Sequence, residues 1–313
     1  MHGHKLQAAV LLAGGAMLAT TFAMAAEQRQ PVQTGTIVTV VPKKEAPGGI
    51  PQSALHLKVN GKNTEITRFV PLHSPESDVE LVVLIDDGAR TSLGTQMSDI
   101  AKFIQNLRPG TKVSIGYMYN GMAELAGPLT TDHNAALRGL HLPVHGGAAI
   151  SASPYFCLSS LAKNWPSSDM HARREVVMIT DGIDYYEVRY DPEDPYVQAA
   201  MDDAVRAHLI VYAIYWRSAD FLDRTEYGAA DGQNLLAQLT ATTGGASYWE
   251  GIGNPVSFVP YFEDISRRLD NQYEMEFMTT IGNKPEMQSI KLSVSGHVKV
   301  DAPQEVWVYP VSK

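Results

Sequence analysis

The sequence predicts an α/β fold: a doubly wound, mostly parallel sheet with helices on both faces, plus a small flanking antiparallel β module. The first observation is a set of near-continuous apolar runs, which predict strands that are buried on both faces. The second is that amphipathic helical patterns separate these runs, as in parallel sheets that helices cover on both sides. The predicted strands lie at residues 79–85, 113–119, 176–179 and 209–216.

The predicted helices have recognisable beginnings and ends. Apolar residues recur at helical spacing over 97–107, and the Pro-Gly pair at 109–110 ends that pattern. The Asp-Pro pair at 194–195 supplies an N-cap and a proline in the first turn of another helix. The Gly-Gly pair at 244–245 ends a third helix, and a last apolar stripe runs over 258–269.

Two flanks bracket this α/β segment. Residues 53–70 alternate between apolar and polar and turn at 60–63, which predicts a β-hairpin. After residue 271 the helical patterns stop, and the chain reads as antiparallel strands. Because an isolated hairpin is only marginally stable in water, we predict that both flanks pair as one β-sandwich-like module.

The chain begins with the pattern of a Sec-type signal peptide. A weakly basic start precedes an apolar stretch, and Ala23-Met24-Ala25 fits a cleavage site. A retained membrane anchor is the alternative, since the apolar stretch is nearly long enough to span a bilayer. We expect cleavage after Ala25, export to a periplasm or beyond, and no stable membrane insertion afterwards. The predicted organisation is a signal peptide at 1–25, an N-terminal β flank at 26–77, an α/β domain at 78–271 and C-terminal strands at 272–313.

Composition excludes several classes of function. The 313 residues carry a formal net charge of −9, and no long basic run occurs. We therefore do not expect the protein to bind nucleic acid through sequence-independent contacts with phosphates. The single cysteine, Cys157, excludes an intrachain disulfide and any zinc cluster made of cysteines. Its apolar neighbours predict a buried, inert thiol.

Two segments resemble the signature loops of the von Willebrand factor type A (vWA) domain. Residues 82–90 are similar to its first strand and loop, and residues 177–182 resemble its fourth-strand signature. The Thr-Gly-Gly at 243–245 is similar to the end of its late helix. The resemblance covers about residues 78–271, and with the β flanks it is similar to exported bacterial vWA-related proteins. It implies a Rossmann-like fold and a role in adhesion or protein binding.

The same resemblance implies a metal-ion-dependent adhesion site that is degenerate here. In the family, an Asp-x-Ser-x-Ser loop, a threonine and a late aspartate hold Mg²⁺ or Mn²⁺, which prefer oxygen ligands. Asp86 and Asp181 match the two aspartates, but Gly88 and Arg90 replace the serines, and Ala148 stands in the loop where the threonine belongs. With three oxygen donors missing, we expect no metal cofactor; weak binding of Mg²⁺ or Mn²⁺ is the alternative.

Arg90 introduces a permanent cation into this loop. Two carboxylates at one edge of a sheet repel each other unless a cation neutralises them. One hypothesis is that the Arg90 guanidinium bridges Asp86 and Asp181 in place of the metal. The alternative is that Arg90 points to solvent while the two aspartates cap local turns.

Tyrosines crowd the segment that follows Asp181. Tyr185, Tyr186 and Tyr190 are interleaved with acidic residues, and this composition is typical of a recognition surface. We therefore predict these tyrosines as partner-binding residues, with an ordinary packed loop as the alternative.

Taken together, these patterns predict an exported, non-catalytic binding protein that contacts a protein partner in the cell envelope without a metal. One alternative is a structural subunit of an envelope assembly. Another is a hydrolase that uses Asp86 and Asp181, but no nucleophile, base and orienting residue occur at a spacing that supports it.

Overall fold

The computed structural model describes residues 29–41, 49–72, 78–144, 153–187, 189–218, 226–296 and 298–310. The predicted signal peptide lies outside these ranges. Within them, no helix has both the length and the apolarity that crossing a bilayer requires.

The described residues form two units, an α/β unit and a β-sandwich. The strands are β1 (Gln30–Val41), β2 (Leu55–Val59), β3 (Lys62–Thr64), β4 (Ile66–Pro71), β5 (Val79–Asp86), β6 (Lys112–Tyr119), β7 (Met122–Leu125), β8 (Arg173–Thr180), β9 (Leu209–Tyr215), β10 (Ala246–Tyr248), β11 (Gln272–Ile281), β12 (Glu286–Val294), β13 (Lys299–Asp301) and β14 (Glu305–Val308). The helices are α1 (Met97–Gln105), α2 (His133–Leu137), α3 (Pro154–Lys163), α4 (Pro195–Arg206), α5 (Glu226–Thr243) and α6 (Val259–Leu269).

A six-stranded sheet forms the centre of the α/β unit, in the order β10-β9-β8-β5-β6-β7. All neighbouring strands are parallel except β7, which pairs antiparallel with β6 at one edge. The chain winds outward from β5 to β7 and then restarts at β8 on the other side of β5. This reversal creates a topological switch point between β5 and β8, the place where open α/β sheets bind ligands.

Helices cover both faces of this sheet, which confirms the predicted doubly wound α/β class. The side chains of α1 and α6, among them Ile100, Phe103 and Phe262, pack on one face. Those of α3, α4 and α5, among them Leu158 and Leu235, pack on the other. Because both faces are covered, β9 and most of β5 and β8 consist of apolar runs rather than alternating patterns.

The two flanks pair with each other, as predicted. One sheet has the order β13-β1-β11-β4 and the other β14-β12-β2-β3, so each contains strands from before and after the α/β unit. Their inner faces share one apolar core that includes Val38, Leu57 and Phe277. The β2–β3 hairpin turns at Asn60 and Gly61, whose φ angles of 48° and 77° are those of a type I′ turn.

A buried polar network joins the two units where β8 begins. The Glu175 side chain is fully buried, and its Oε1 accepts a hydrogen bond from Gln272 Nε2 at 2.8 Å. Arg173 donates from Nη1 to Gln272 Oε1 and to the Leu269 carbonyl. Burial raises the pKa of Glu175 to about 7, although the Arg173 charge and the hydrogen bond from Gln272 oppose the rise.

Candidate functional site

The two family-matched aspartates lie at the switch point of the sheet. Asp86 is the last residue of β5, and Asp181 directly follows β8, its parallel neighbour. Parallel strands bring their carboxyl ends to the same edge, so both side chains start from this edge. The structure therefore places the predicted site residues Asp86 and Asp181 together.

Asp86 is half-buried, and hydrogen bonds from its surroundings hold it in place. Its Oδ2 accepts from the Thr180 hydroxyl at 2.8 Å, and its Oδ1 accepts from the Gly88 backbone N–H at 2.8 Å. Burial raises the pKa of Asp86, while these two hydrogen bonds act in the opposite direction. Thr180, which sequence analysis did not single out, is thus the direct neighbour of Asp86 across the strand pair.

Asp181 is fully buried in a different set of contacts. Its Oδ1 accepts from the Ile183 backbone N–H at 3.0 Å, and its Oδ2 accepts from the Tyr185 hydroxyl at 2.6 Å. The Tyr185 hydroxyl also lies 2.7 Å from Ser218 Oγ. Asp181 therefore orders the turn after β8 and links it to the segment after β9.

The hypothesis that Arg90 bridges the two aspartates is wrong. The Arg90 Nε donates to the Ser218 carbonyl at 2.6 Å, and among the described residues no ion pair joins Arg90 to Asp86 or Asp181. The alternative is confirmed in part: Asp86 and Asp181 each accept a hydrogen bond from the backbone of the turn that follows them, whereas Arg90 is partly buried and does not extend into solvent. Backbone pairing explains the outcome, since Ala89 and Ser218 form a β-bridge that draws this loop toward the end of β9.

Two glycines make close packing possible at the turn after β8. Gly182 has a φ of +70°, and a Cβ there would lie 2.5 Å from Leu236 Cγ. At Gly232 on α5, a Cβ would lie only 2.1 Å from the Asp181 carbonyl oxygen. The Asp181 turn therefore sits directly against α5, and that contact fixes where the following loop emerges.

A very small cavity remains between Asp86 and α3. Its volume is about 10 Å³, close to the minimum for one water molecule, and Asp86, Gly88, Cys157 and Ser218 are among its lining residues. Burial raises the pKa of the Cys157 thiol to about 12, so the thiol is protonated at neutral pH.

The described residues do not fit the divalent ion of the family. Gly88 offers no side-chain oxygen, and Arg90 brings a cation whose Nε is bonded to Ser218. Both oxygens of Asp86 already accept hydrogen bonds. In the described ranges, no cluster of three or more His, Cys, Asp or Glu side chains could hold a metal. Ala148 lies outside the described residues.

The predicted tyrosine surface is only partly exposed. Tyr185 is buried, so its prediction as a partner-binding residue is wrong; its hydroxyl instead holds Asp181 and Ser218 together. The other two predicted tyrosines are exposed, Tyr186 at 52% and Tyr190 at 39%.

Tyr186 belongs to a cluster of three rings, which we call the aromatic triad: Phe156, Tyr186 and Tyr196. The ring centroids lie 5.1 to 5.6 Å apart, and each pair packs edge to face. Tyr196 is 48% exposed. Phe156 comes from α3, a helix that sequence analysis did not predict, so the triad could not be assembled from the sequence.

The strand order and the position of the aspartate pair at the switch point define the α/β unit as vWA-like in fold. No protein-family model matches the chain, and no curated protein matches it.

Several solved structures are similar to this chain. A vWA structure from Catenulispora acidiphila is 9% identical and covers 91% of this chain and 75% of its own, with a TM-score of 0.45. An aerotolerance-related membrane protein from Bacteroides fragilis is 17% identical and covers 61% of this chain and 98% of its own, with a TM-score of 0.43. BatB from Bacteroides thetaiotaomicron is 15% identical, with coverages of 61% and 97% and a TM-score of 0.39. Likenesses of this size bear on neither activity nor partners.

Proposed function

We propose that this protein is an exported, non-catalytic binding protein that contacts a protein partner through the switch-point edge of its vWA-like sheet, without a divalent metal. The observation that carries the proposal is the aromatic triad, which lies half-exposed on the loop and helices that surround this edge. Exposed aromatic side chains beside a ligand-binding edge are typical of the centres of protein interfaces.

The chemistry of the edge supports binding over catalysis. A cavity of about 10 Å³ beside Asp86 has no room for a substrate. Cys157, which lines the same cavity, is 2% exposed, and burial raises its pKa to about 12, so it would make a poor nucleophile. The carboxylates of Asp86 and Asp181 accept hydrogen bonds that order the local backbone.

The oxygen donors available in the loop after β5 support partner binding without a metal. A divalent ion of this class requires about six oxygen ligands, and the loop after β5 presents glycine and arginine where the family has serines. A bound ion would also meet the positive charge of Arg90. Partner binding would then depend on direct contacts with side chains at this edge.

The proposed location in the cell envelope rests on the signal-peptide pattern of residues 1–25. Its test is mass spectrometry of the protein from a periplasmic fraction. The proposal predicts a mature chain that starts at Ala26, whereas an intact chain recovered from the membrane fraction would favour the retained anchor.

Site-specific photocrosslinking tests the binding proposal. A benzoylphenylalanine replaces Tyr186 in the triad, or Tyr309 in the β-sandwich as a matched control, because both tyrosines are 52% exposed. After irradiation of cells, the proposal predicts a discrete crosslinked species from position 186 that is absent from position 309. Equal crosslinking at both positions, or none at 186, would contradict the proposal.

A further inference from the structure

We propose that a cavity beside the aromatic triad receives a lysine or arginine side chain from an extended segment of the partner protein. This inference rests on the proposed function, because it gives the chemistry of the partner that the same edge would bind. The cavity lies between the loop after β8 and the first turns of α4 and α5.

The size of the cavity fits a side chain. Its volume is about 210 Å³, below the range of roughly 300–1,000 Å³ that is usual for small-molecule sites. Ile183, Val197 and Leu235 give it apolar walls, against which the methylene stem of a long basic side chain can pack.

The charge of the cavity favours a cation. Among the described residues, five carboxylates line the cavity, and the one guanidinium is that of Arg189. The two helix N-termini nearby add only about half a positive charge each, which leaves a clear negative excess. The carboxylates belong to Asp184, Glu187, Asp191, Asp194 and Asp231.

Two of these carboxylates have at least one oxygen that accepts no hydrogen bond. Asp184 is only 5% exposed; its Oδ1 accepts from the Tyr186 backbone N–H, while its Oδ2 has no hydrogen-bond partner. Asp231 lies on the α5 side, and its side chain forms no hydrogen bond or ion pair within the described ranges. A buried acceptor without a donor is destabilising, so a cation next to Asp184 would relieve an existing cost.

Aromatic rings complete the recognition chemistry. Tyr190 and Tyr227 line the cavity and are 39% and 84% exposed, so their faces are available to a guanidinium or ammonium group. The aromatic triad next to the cavity gives a surface for the residues that flank the basic side chain. The occupant is therefore a polypeptide segment, since a free amine would leave the triad uncovered.

Peptide titration tests this assignment. The probe is a fluorescein-labelled peptide of three Lys-Leu-Arg-Ser repeats, and the control is the same peptide with glutamate at every basic position. Fluorescence anisotropy should show saturable binding of the basic peptide to the purified protein and none of the acidic one. Saturable binding of the acidic peptide, or no binding of the basic one, would overturn the proposal.

Two substitutions that change the charge of the cavity in opposite directions make the test more specific. Asp231→Asn should weaken binding of the basic peptide roughly fivefold, and Arg189→Gln should strengthen it, because each removes one charge from the cavity. Tyr227→Ala should weaken binding to a similar degree. Asp231→Asn should not lower the melting temperature, because the native side chain has no partner to lose.

The control variant is Glu263→Gln, which removes an exposed carboxylate from α6. If it weakens binding as much as Asp231→Asn, the attraction is a general effect of the acidic chain and the proposal fails. Spermine that competes with the peptide as well as an unlabelled copy does would also overturn it, because no polypeptide would then be recognised.

The two proposals fail in distinguishable ways. If position 186 crosslinks but the basic peptide does not bind, the proposed cation-binding cavity is wrong, whereas the proposal that the switch-point edge binds a partner still holds. If the basic peptide does not bind and position 186 does not crosslink either, the proposed function is also wrong.

Discussion

Replacing Glu175 with glutamine should stabilise the protein at alkaline pH and have little effect at acidic pH. Glu175 is fully buried at the junction of the two units, and burial raises its pKa from an ordinary value of 4.5 to about 7. Its Oε1 accepts from Gln272, and its Oε2 has no hydrogen-bond partner. The folded protein therefore holds this proton more tightly than the unfolded chain does.

The sign and size of the effect follow from proton linkage. Between pH 4.5 and 7 the folded state binds more protons at this site, so the free energy of unfolding falls as pH rises. A difference of 2.5 pH units corresponds to about 3 kcal/mol, which is fully present below pH 4.5 and lost through pH 7. Because the shift already includes the attraction of Arg173, this figure is the net effect at the site.

Glutamine copies the protonated acid, since it is neutral and its carbonyl can still accept from Gln272. Urea unfolding of Glu175→Gln and of the natural protein at pH 4.5, 6 and 8 measures the difference directly. We expect near equality at pH 4.5 and a gain for the variant of up to about 3 kcal/mol at pH 8.

The comparison of two proteins at each pH cancels the contributions of all other groups. Glu263→Gln, an exposed substitution, controls for the change in net charge and should show no such dependence on pH. A difference between Glu175→Gln and the natural protein that stays constant from pH 4.5 to 8 would refute the reasoning. So would a variant that is least stable at pH 8.

Three further predictions concern the switch-point edge. Addition of 5 mM Mg²⁺ or Mn²⁺ should leave the melting temperature within about 1 °C of its value in EDTA, whereas an ion at 100 times its Kd would add about 2.7 kcal/mol; a clear rise that Asp86→Ala removes would contradict this. Arg90→Ala should cost roughly 1–2 kcal/mol in urea unfolding through loss of the bond to the Ser218 carbonyl. Arg108→Ala should cost less, because its ion pair is solvent-exposed, and the reverse order would count against the assigned contact. Gly232→Ala should cost at least about 2 kcal/mol, since its Cβ would lie 2.1 Å from the Asp181 carbonyl, while Gly253→Ala, with open space around it, should be tolerated; equal stability of the two would show that the contact yields easily.

Local patterns predicted the parts of the fold that depend on local physics. Strands buried on both faces favour apolar side chains on both faces, and β9 and most of β5 and β8 show such runs. The Asn60-Gly61 turn was predictable because two consecutive positive φ angles favour this pair. By contrast, neither β7 nor α3 was predicted: β7 is only four residues long, and the helical spacing of the buried residues of α3 was missed.

The candidate site depended on contacts that are distant in the sequence. Arg90 and its acceptor Ser218 are 128 residues apart, so the family motif alone favoured a bridge that does not form. Neighbouring tyrosines also differ in burial: Tyr185 is buried and donates a hydrogen bond to Asp181, while Tyr186 is exposed at the surface. Spacing in the sequence cannot separate these two, because the difference arises from the Gly182 turn and its packing on α5.

The most direct test of partner binding without a metal is crosslinking at position 186 under controlled metal supply. Envelope preparations that carry benzoylphenylalanine at this position are irradiated in EDTA and in 5 mM Mn²⁺. We expect the same crosslinked species in equal yield under both conditions. A species that forms only with Mn²⁺, and that Asp86→Ala abolishes, would show that partner binding requires the metal.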